Sequence, residues 1–228
     1  MVTSIHRYPV KSMGGERLSE SMLTLQGLPG DRTFAFVLAD SKISFPWFTA
    51  RDYPELLQHI TRTVPGSPPS VEVETPGGER FAANDPALLA LLEAASGKRL
   101  TLLHDYRGSY DVAPVTLISH ATVGTLATAA GVAPDAGRFR MSITVDTGSA
   151  EPFTENAWVG RLVRIGEARI AVTEPDRRCA MITLAHPGSE ASPAVLKAAA
   201  ELNNACAGVY GAVFVAGMIR EGDEITLE

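Results

Sequence analysis

Short apolar runs separated by turn residues occupy most of the chain, and this pattern predicts a protein rich in strands. In one segment Ala168, Ile170 and Val172 occupy every second position, which is the period of a strand. A double glycine at 77–78 predicts a hairpin to a further short strand. This density of short strands favours a barrel over a doubly wound sheet. Strands are predicted near residues 3–7, 21–25, 33–39, 71–75, 100–104, 114–118, 142–146, 161–165, 168–173, 209–216 and 224–227.

Three segments carry the signals of helices instead. Each begins with Ser or Asp at the N-cap and ends at Gly or Asn, residue types that suit the two ends of a helix. Residues 104–113 show little apolar periodicity, so we place a domain boundary there. The sequence thus predicts a β-rich mixed α+β protein of two units, residues 1–105 and 106–228. The predicted helices run from 85 to 96, from 119 to 130 and from 192 to 203.

Composition narrows the classes of function that this 228-residue chain can serve. A net charge of -6 argues against nucleic-acid binding, which requires clustered Lys and Arg. No segment approaches the roughly 20 apolar residues of a membrane span, and no signal peptide is evident, so we expect a cytoplasmic protein. Two cysteines suffice neither for a disulfide framework nor for an iron–sulfur cluster. We expect a monomer or a weak oligomer.

The histidines and the common catalytic motifs indicate no site. The histidines are scattered, with no His-x-His or His-x-x-x-His pair, so the sequence predicts no zinc centre. Glycine-rich phosphate loops and the Gly-x-Ser-x-Gly elbow are absent from the sequence as well. Most of these histidines are expected on the surface or in loops: His6, His59, His104, His120 and His186.

The densest group of reactive side chains is residues 174–179, where we expect a strand to end in a proline turn. That turn would present Arg177, Arg178 and Cys179. Adjacent guanidinium groups favour the thiolate form of a cysteine, which is the nucleophile and the soft-metal ligand. The alternative is that Cys179 is a small buried apolar residue and the arginines form a solvated pair. The local sequence supports these two interpretations equally.

Further basic residues lie beside glycines. Residues 137–140 place two arginines at the start of a predicted strand, where guanidinium groups suit a phosphate, or simply cap the strand. Residues 8–15 place Lys11 and Ser12 before a double glycine, an arrangement that suits an anion, or simply forms a polar turn. Residues 30–32 likewise present an arginine from a glycine turn. Each cluster alone is a weak signal.

Taken in order along the chain, these clusters resemble the MOSC-domain proteins that carry an N-terminal MOSC-type β-barrel. The resemblance spans nearly the whole chain, and its strength lies in seven motifs that occur in register. The motifs are YPVKSMGGE (8–16), GLPGDR (27–32), FTARDYPEL (48–56), RFRMSITVD (138–146), EPFTENAWVGRLVRIGEARI (151–170), EPDRRCAMIT (174–183) and GVYGAVFVAGMIREGDEITL (208–227).

The resemblance implies a MOSC β-barrel preceded by a smaller β-barrel-like subdomain, with a few helices. It also implies a molybdenum–molybdopterin cofactor whose metal is bound by Cys179, which is then both metal ligand and catalytic residue. Ser142 departs from the family, which has an asparagine there, and a serine has one donor hydrogen rather than two. Asp176 places an acid beside the expected anion site, where it could orient Arg177. The implied cofactor contacts are Lys11, Ser12, Arg32, Ser119, His120, Arg140, Ser142, Arg177 and Arg178.

The residues admit three functions. The first is an oxidoreductase that reduces N-hydroxylated or N-oxide small molecules with electrons from a separate donor protein. The second is a sulfur carrier that uses a persulfide on Cys179, and the third is a carrier that binds the cofactor without turnover. Loops 41–50 and 185–192 are expected to select the substrate, and Trp47 and Phe48 line either that pocket or the core. We expect Cys206 to be a buried structural residue.

Overall fold

The computed structural model describes residues 1–42 and 45–228, and its strands form one large sheet and three small ones. The strands are β1 (Val2–Arg7), β2 (Glu16–Leu18), β3 (Glu20–Leu23), β4 (Phe34–Leu38), β5 (Ile60–Val64), β6 (Ser70–Glu74), β7 (Arg80–Ala82), β8 (Leu100–His104), β9 (Val115–Ser119), β10 (Ile143–Val145), β11 (Leu162–Ile165), β12 (Ala168–Arg177), β13 (Cys206–Val215), β14 (Gly217–Arg220) and β15 (Ile225–Leu227). The helices are α1 (Pro86–Ser96), α2 (His120–Ala130) and α3 (Pro193–Asn203), with 3-10 turns at Pro54–Gln58, Ala136–Phe139, Thr154–Trp158 and Ala180–Thr183.

The large sheet takes strands from both halves of the chain, in the order β15-β11-β12-β13-β9-β10-β1-β2. Strand β1 pairs antiparallel with β10, with Ile5 opposite Ile143. Val2 and Ile5 are almost fully buried, in a core otherwise formed mainly by strands of the C-terminal half. Burial of apolar surface therefore draws the first strand across the boundary predicted near residue 105, because its apolar face has its partners there. That boundary remains a prediction about the chain's domains.

Much of the rest of the N-terminal half surrounds a second core, whereas β3 pairs with β14 and Leu23 and Leu28 lie in the first core. Strand β4 pairs with β8, and β5, β6 and β7 form a meander. Phe36, Phe48 and Leu56 are among its fully buried side chains, and α1 closes it with Leu88 and Leu92. A third core lies between α2 and α3. The observed fold is thus the strand-rich mixed α+β fold with three helices that the sequence predicts.

The ends of α1 and α2 confirm the predicted capping, whereas Ser192 stands at the N-cap of α3 without a capping hydrogen bond from its side chain. The Asp85 carboxylate accepts from Ala87 N–H at the start of α1, and the Ser119 hydroxyl accepts from Thr122 N–H at the start of α2. Gly97 and Gly131 end these helices in the left-handed conformation. No helix in the described parts of the chain is long and apolar enough to cross a membrane.

The prediction of a proline turn after residue 173 is wrong. Strand β12 continues through Pro175, which lies opposite Val209, and ends at Arg177 opposite Cys206. Irregularities in the pairing at 172–174 and 175–177 accommodate the proline, which has no N–H to donate. The strand therefore ends two residues before Cys179. Local pattern also missed β2, β5 and β14, which are short or weakly alternating.

Gly208 offers a test of the packing behind this strand pair. Its φ is 80°, and an added Cβ would lie 2.1 Å from Met141 Cε and 2.5 Å from the Leu117 carbonyl oxygen. Gly78, in the β6–β7 hairpin, has a φ of 83° but open space around such a Cβ. We expect Gly208→Ala to lower the free energy of unfolding by about 3 kcal/mol and Gly78→Ala by about 1 kcal/mol. Urea denaturation measures both values, and equal losses would contradict the steric argument.

Candidate functional site

A cavity of about 610 Å³ lies between the two halves of the chain. Its wall comes from the loop after β1, the turn before β4, the segment 45–51, the segments that precede β9 and β10, and the end of β12, with Tyr210 from β13. It brings together seven of the residues that the sequence singles out, namely Lys11, Ser12, Arg32, Arg140, Arg177, Arg178 and Cys179. Such a volume is typical of a small-molecule or cofactor site.

Cys179 lies where β12 leaves the sheet. Arg178 N–H still donates to the Ala205 carbonyl at 2.7 Å, and Cys179 then starts the 3-10 turn Ala180–Thr183. Cys179 is exposed and free in the cavity wall, so the interpretation of a small buried residue is wrong. The neighbouring strand carries Cys206, which is half-buried, and burial raises the pKa of the Cys206 thiol.

The Arg178 guanidinium is largely occupied by contacts within the protein. Its guanidinium pairs with Asp176 and donates to the Phe139 carbonyl at 2.6 Å. Asp176 is buried, and burial raises its pKa even though Arg178 and a hydrogen bond from Tyr210 oppose the shift. The acid beside the site therefore orients Arg178 rather than Arg177. Arg178 Nε remains buried without a hydrogen-bond partner, so it is an unused donor behind the cavity wall.

Arg140 is a half-buried guanidinium that lies between the two halves. It donates to the Met13 carbonyl at 2.6 Å and lies 4.3 Å from the centre of the Tyr8 ring. Within the described residues it has no carboxylate partner. Burial lowers the pKa of Arg140 to about 10, so the group remains cationic at neutral pH. It is a positive charge held in place and available to an anion.

Lys11 and Arg32, in contrast, are already paired. Lys11 Nζ lies 2.6 Å from Asp111 and donates to the Ser109 carbonyl at 2.7 Å. Arg32 pairs with buried Asp31. Burial lowers the pKa of Lys11, whereas Asp111 and its hydrogen bond act in the opposite direction. Because a carboxylate neutralises each of them, Lys11 and Arg32 add little net positive charge for a ligand, although both line the cavity.

Six cationic side chains therefore line the cavity, of which three have carboxylate partners. Within the described residues the other three, Arg51, Arg140 and Arg177, have no ion pair. Sequence reasoning assigned no role to Arg51, although it lies in the motif FTARDYPEL. Its guanidinium lies 5.2 Å from the Phe45 ring centre. Asp111 and Tyr210 also line the cavity and were missed, because nothing local marks them.

Three of the wall residues adopt a backbone conformation that favours glycine. Ser12, Arg32 and Arg140 have φ values of 66°, 51° and 55°. Such conformations are uncommon for other residues and occur often at functional sites, where the surrounding structure holds them. Here Arg32 donates to the Arg140 carbonyl at 3.2 Å, which ties two of the three together across the cavity.

Three predicted contacts lie outside the cavity wall. Ser119 is fully buried, and its hydroxyl is used by the N-cap of α2. His120 is exposed, and its Nε2 lies 2.8 Å from Thr3 Oγ1 on β1. Ser142 is buried behind Thr116, whose hydroxyl lines the cavity and accepts from Ser142 N–H at 2.8 Å. The structure thus does not bring these three side chains to the other candidates.

The two arginines of residues 137–140 have different roles. Arg140 faces the cavity, whereas Arg138 is buried and donates to the carbonyls of Ile182, Leu184 and Glu190. Arg138 therefore holds loop 182–190 against the turn that carries Arg140. This corrects the expectation that both arginines face an anion. Of the expected substrate loop 41–50, residues 43–44 lie outside the described residues, and Phe45 reaches the cavity.

The chain matches two domain families over almost its full length. Residues 1–102 match the MOSC N-terminal beta barrel domain, and residues 104–226 match the MOSC domain. The fold thus belongs to a known class of two-part, strand-rich proteins. This chain is a member of the MOSC domain family, a family associated in general with the molybdenum cofactor.

Comparison with solved structures finds a likeness over the whole chain and likenesses over half of it. The YuaD protein from Bacillus subtilis is 12% identical over 99% of this chain and 93% of its own, with a TM-score of 0.53. YiiM from Geobacillus stearothermophilus and YiiM from Escherichia coli are 20% and 19% identical over 51% of this chain and 54% of theirs, with TM-scores of 0.41 and 0.37. No curated protein matches the chain. At these identities the likeness to YuaD shows the fold alone.

Acid stability tests the contacts that hold loop 182–190. His186 Nε2 lies 2.9 Å from Asp135, and Gly137 N–H donates to the same carboxylate at 2.9 Å. Burial acts to raise the pKa of Asp135, but these hydrogen bonds, with one from Ser189, hold it well below its usual value. Its stabilising effect is therefore complete above the unfolded pKa of about 4 and is lost as the pH falls below it.

We expect Asp135→Asn to lower the free energy of unfolding by about 1–2 kcal/mol at neutral pH. Urea denaturation from about pH 7 to below about pH 3 should show the difference between variant and wild type begin to shrink below about pH 4 and go on shrinking as the pH falls towards the lowered pKa of the folded protein. Asp40→Asn is the matched control. Asp40 is exposed, and its one ion pair, with the exposed Arg99 at 3.6 Å, is too weak to stabilise the fold measurably. A difference between Asp135→Asn and wild type that stays constant with pH would contradict the assignment.

Proposed function

We propose that the protein binds the molybdenum cofactor in the 610 Å³ cavity, with Cys179 as the metal ligand. We further propose that it is an oxidoreductase that reduces N-hydroxylated or N-oxide small molecules with electrons from a separate donor protein. One observation carries the proposal: an exposed thiol shares a cavity with three arginines that lack carboxylate partners in the described structure. Membership of the MOSC family supports the choice of cofactor.

The donor set fits this cofactor. A thiolate is a soft, strongly donating ligand, as a molybdenum centre requires. The cofactor phosphate is dianionic, and the three charges of Arg51, Arg140 and Arg177, offset by the carboxylate of Glu174 in the same wall, match it. The unused donor at Arg178 Nε lies beside the same wall. The acids Asp31, Asp111 and Asp176 each have a cation of their own, so they do not oppose the anion as free charges.

When bound, the cofactor would supply two-electron redox chemistry at a thiolate-held metal. The residues of the chain would hold the metal ligand in position. Strand β12 fixes the backbone of Arg177 against β13, so the thiol two residues later is held at a defined point of the wall. Reduction of an N–OH group consumes two electrons and two protons and releases water. Lys11, which is paired with Asp111 and has its pKa lowered by burial, borders the cavity as a proton donor for that step.

Metal analysis of Cys179→Ser tests the ligand directly. In protein from a host that makes the cofactor, we expect the variant to lose at least about nine tenths of its molybdenum, because a hydroxyl is a poor replacement for a soft thiolate. Cys206→Ser is the matched control and should retain wild-type metal. Full molybdenum in Cys179→Ser would contradict the ligand role. A labile extra sulfur on Cys179 in pterin-free protein would instead support sulfur transfer.

Arg140→Gln tests the anion site separately from the metal ligand. The change removes the charge but keeps a donor towards the Met13 carbonyl, so we expect normal folding and about tenfold weaker retention of the pterin phosphate. Pterin fluorescence after dialysis at increasing salt measures the retention. Arg62→Gln is the control, because Arg62 is exposed and faces Glu74 at 3.4 Å on β6. Equal retention by both variants would show that Arg140 does not hold the anion.

A further inference from the structure

A second cavity of about 190 Å³ lies on the other side of Arg140. It opens between the loop after β1 and the loop that Arg138 holds in place. Arg140 and Met181 line both cavities, so together they form the partition between them. Met181 lies two residues after Cys179, which places this partition beside the candidate metal ligand.

Several of the polar side chains around this second cavity are already engaged within the protein. Arg138 donates to three carbonyls and to Ser189 Oγ, and Arg140 donates to the Met13 carbonyl and lies against the Tyr8 ring. His186 faces Asp135 at 2.9 Å. Burial lowers the pKa of His6, which favours its uncharged form. Arg138 therefore has its donors occupied within the protein, and Arg140 lies at the boundary with its charge also open to the first cavity. The described residues contain no cluster suited to a metal.

The remaining lining is apolar. Leu57, Ile60, Met181 and Pro187 contribute side chains, and Tyr8 contributes an aromatic ring. The volume is enough for one aromatic ring, since an apolar cavity of about 150 Å³ holds benzene. The thioether of Met181 is unbranched and adaptable, so it can move aside without breaking a hydrogen bond. An elongated molecule could then extend from the first cavity into the second.

We infer that the second cavity binds an uncharged, single-ring group, and that this group is the apolar end of the substrate whose reactive end lies near Cys179. The part that concerns the substrate rests on the proposed function. The ring would contact Leu57, Ile60 and Tyr8, while Arg140 separates it from the anion site. The site would thus select uncharged cyclic compounds over compounds that carry a second charge at that end.

Binding of 4-fluorobenzyl alcohol, followed by 19F NMR titration of the whole protein, tests the cavity without any metal. Ile60→Trp fills the cavity from a half-buried position, and Pro187→Trp covers it from an exposed loop where folding is not at risk. We expect each variant to weaken binding at least about tenfold. Met22→Trp adds the same indole to an exposed position on β3, outside both cavities, and should bind as wild type does. An absence of binding to wild type, or equal binding to all four proteins, would overturn the inference.

A kinetic comparison then separates this inference from the proposed function. With cofactor-loaded protein, Pro187→Trp should raise KM about tenfold for an N-hydroxylated aryl substrate, with kcat and the KM for N-methylhydroxylamine little changed. If neither compound is reduced by wild type, the proposed function fails while the probe still reports on the cavity. If both are reduced and Pro187→Trp affects them equally, the second cavity does not hold the ring.

Discussion

The pairing of β1 with β10 joins the two halves of the chain and brings the candidate site together. Val2 and Ile5 are buried in the core of the large sheet, so removing β1 from β10 would expose apolar surface on both strands. The loop that carries Lys11 follows β1, and the turn that carries Arg140 precedes β10. One antiparallel register therefore places both groups on the same cavity. The contact between Arg140 and the Met13 carbonyl is a consequence of that register.

Charge inside the cavity is divided between structure and function. Lys11, Arg32 and Arg178 each face a carboxylate, and these pairs fix the positions of the loops that carry them. Because the pairs are largely neutralised, the positive potential of the cavity comes from Arg51, Arg140 and Arg177. A protein with a net charge of -6 can thus present a cationic site, since nearby charges dominate the field within a cleft.

The left-handed backbone at Ser12, Arg32 and Arg140 shows how the same wall is kept rigid. Each such residue costs about 1 kcal/mol relative to an ordinary conformation, and packing and hydrogen bonds elsewhere must offset it. The hydrogen bond from Arg32 to the Arg140 carbonyl provides part of that offset. Groups held in this way lose little further freedom when a ligand binds, which favours affinity for an anion of matching shape.

The sequence by itself determined the local elements and the chemical inventory. Periodicity and capping predict the three helices and most strands, because these signals act within a few residues, and the motif register indicates the family and the importance of Cys179. Only the tertiary structure decided which candidates meet: Ser119, His120 and Ser142 lie outside the cavity, whereas Arg51, Asp111 and Tyr210 line it. It also decided that β12 passes through Pro175 and that Asp176 neutralises Arg178. These outcomes depend on strand pairing and burial between segments that are far apart in the sequence, so the residue pattern within one segment cannot predict them.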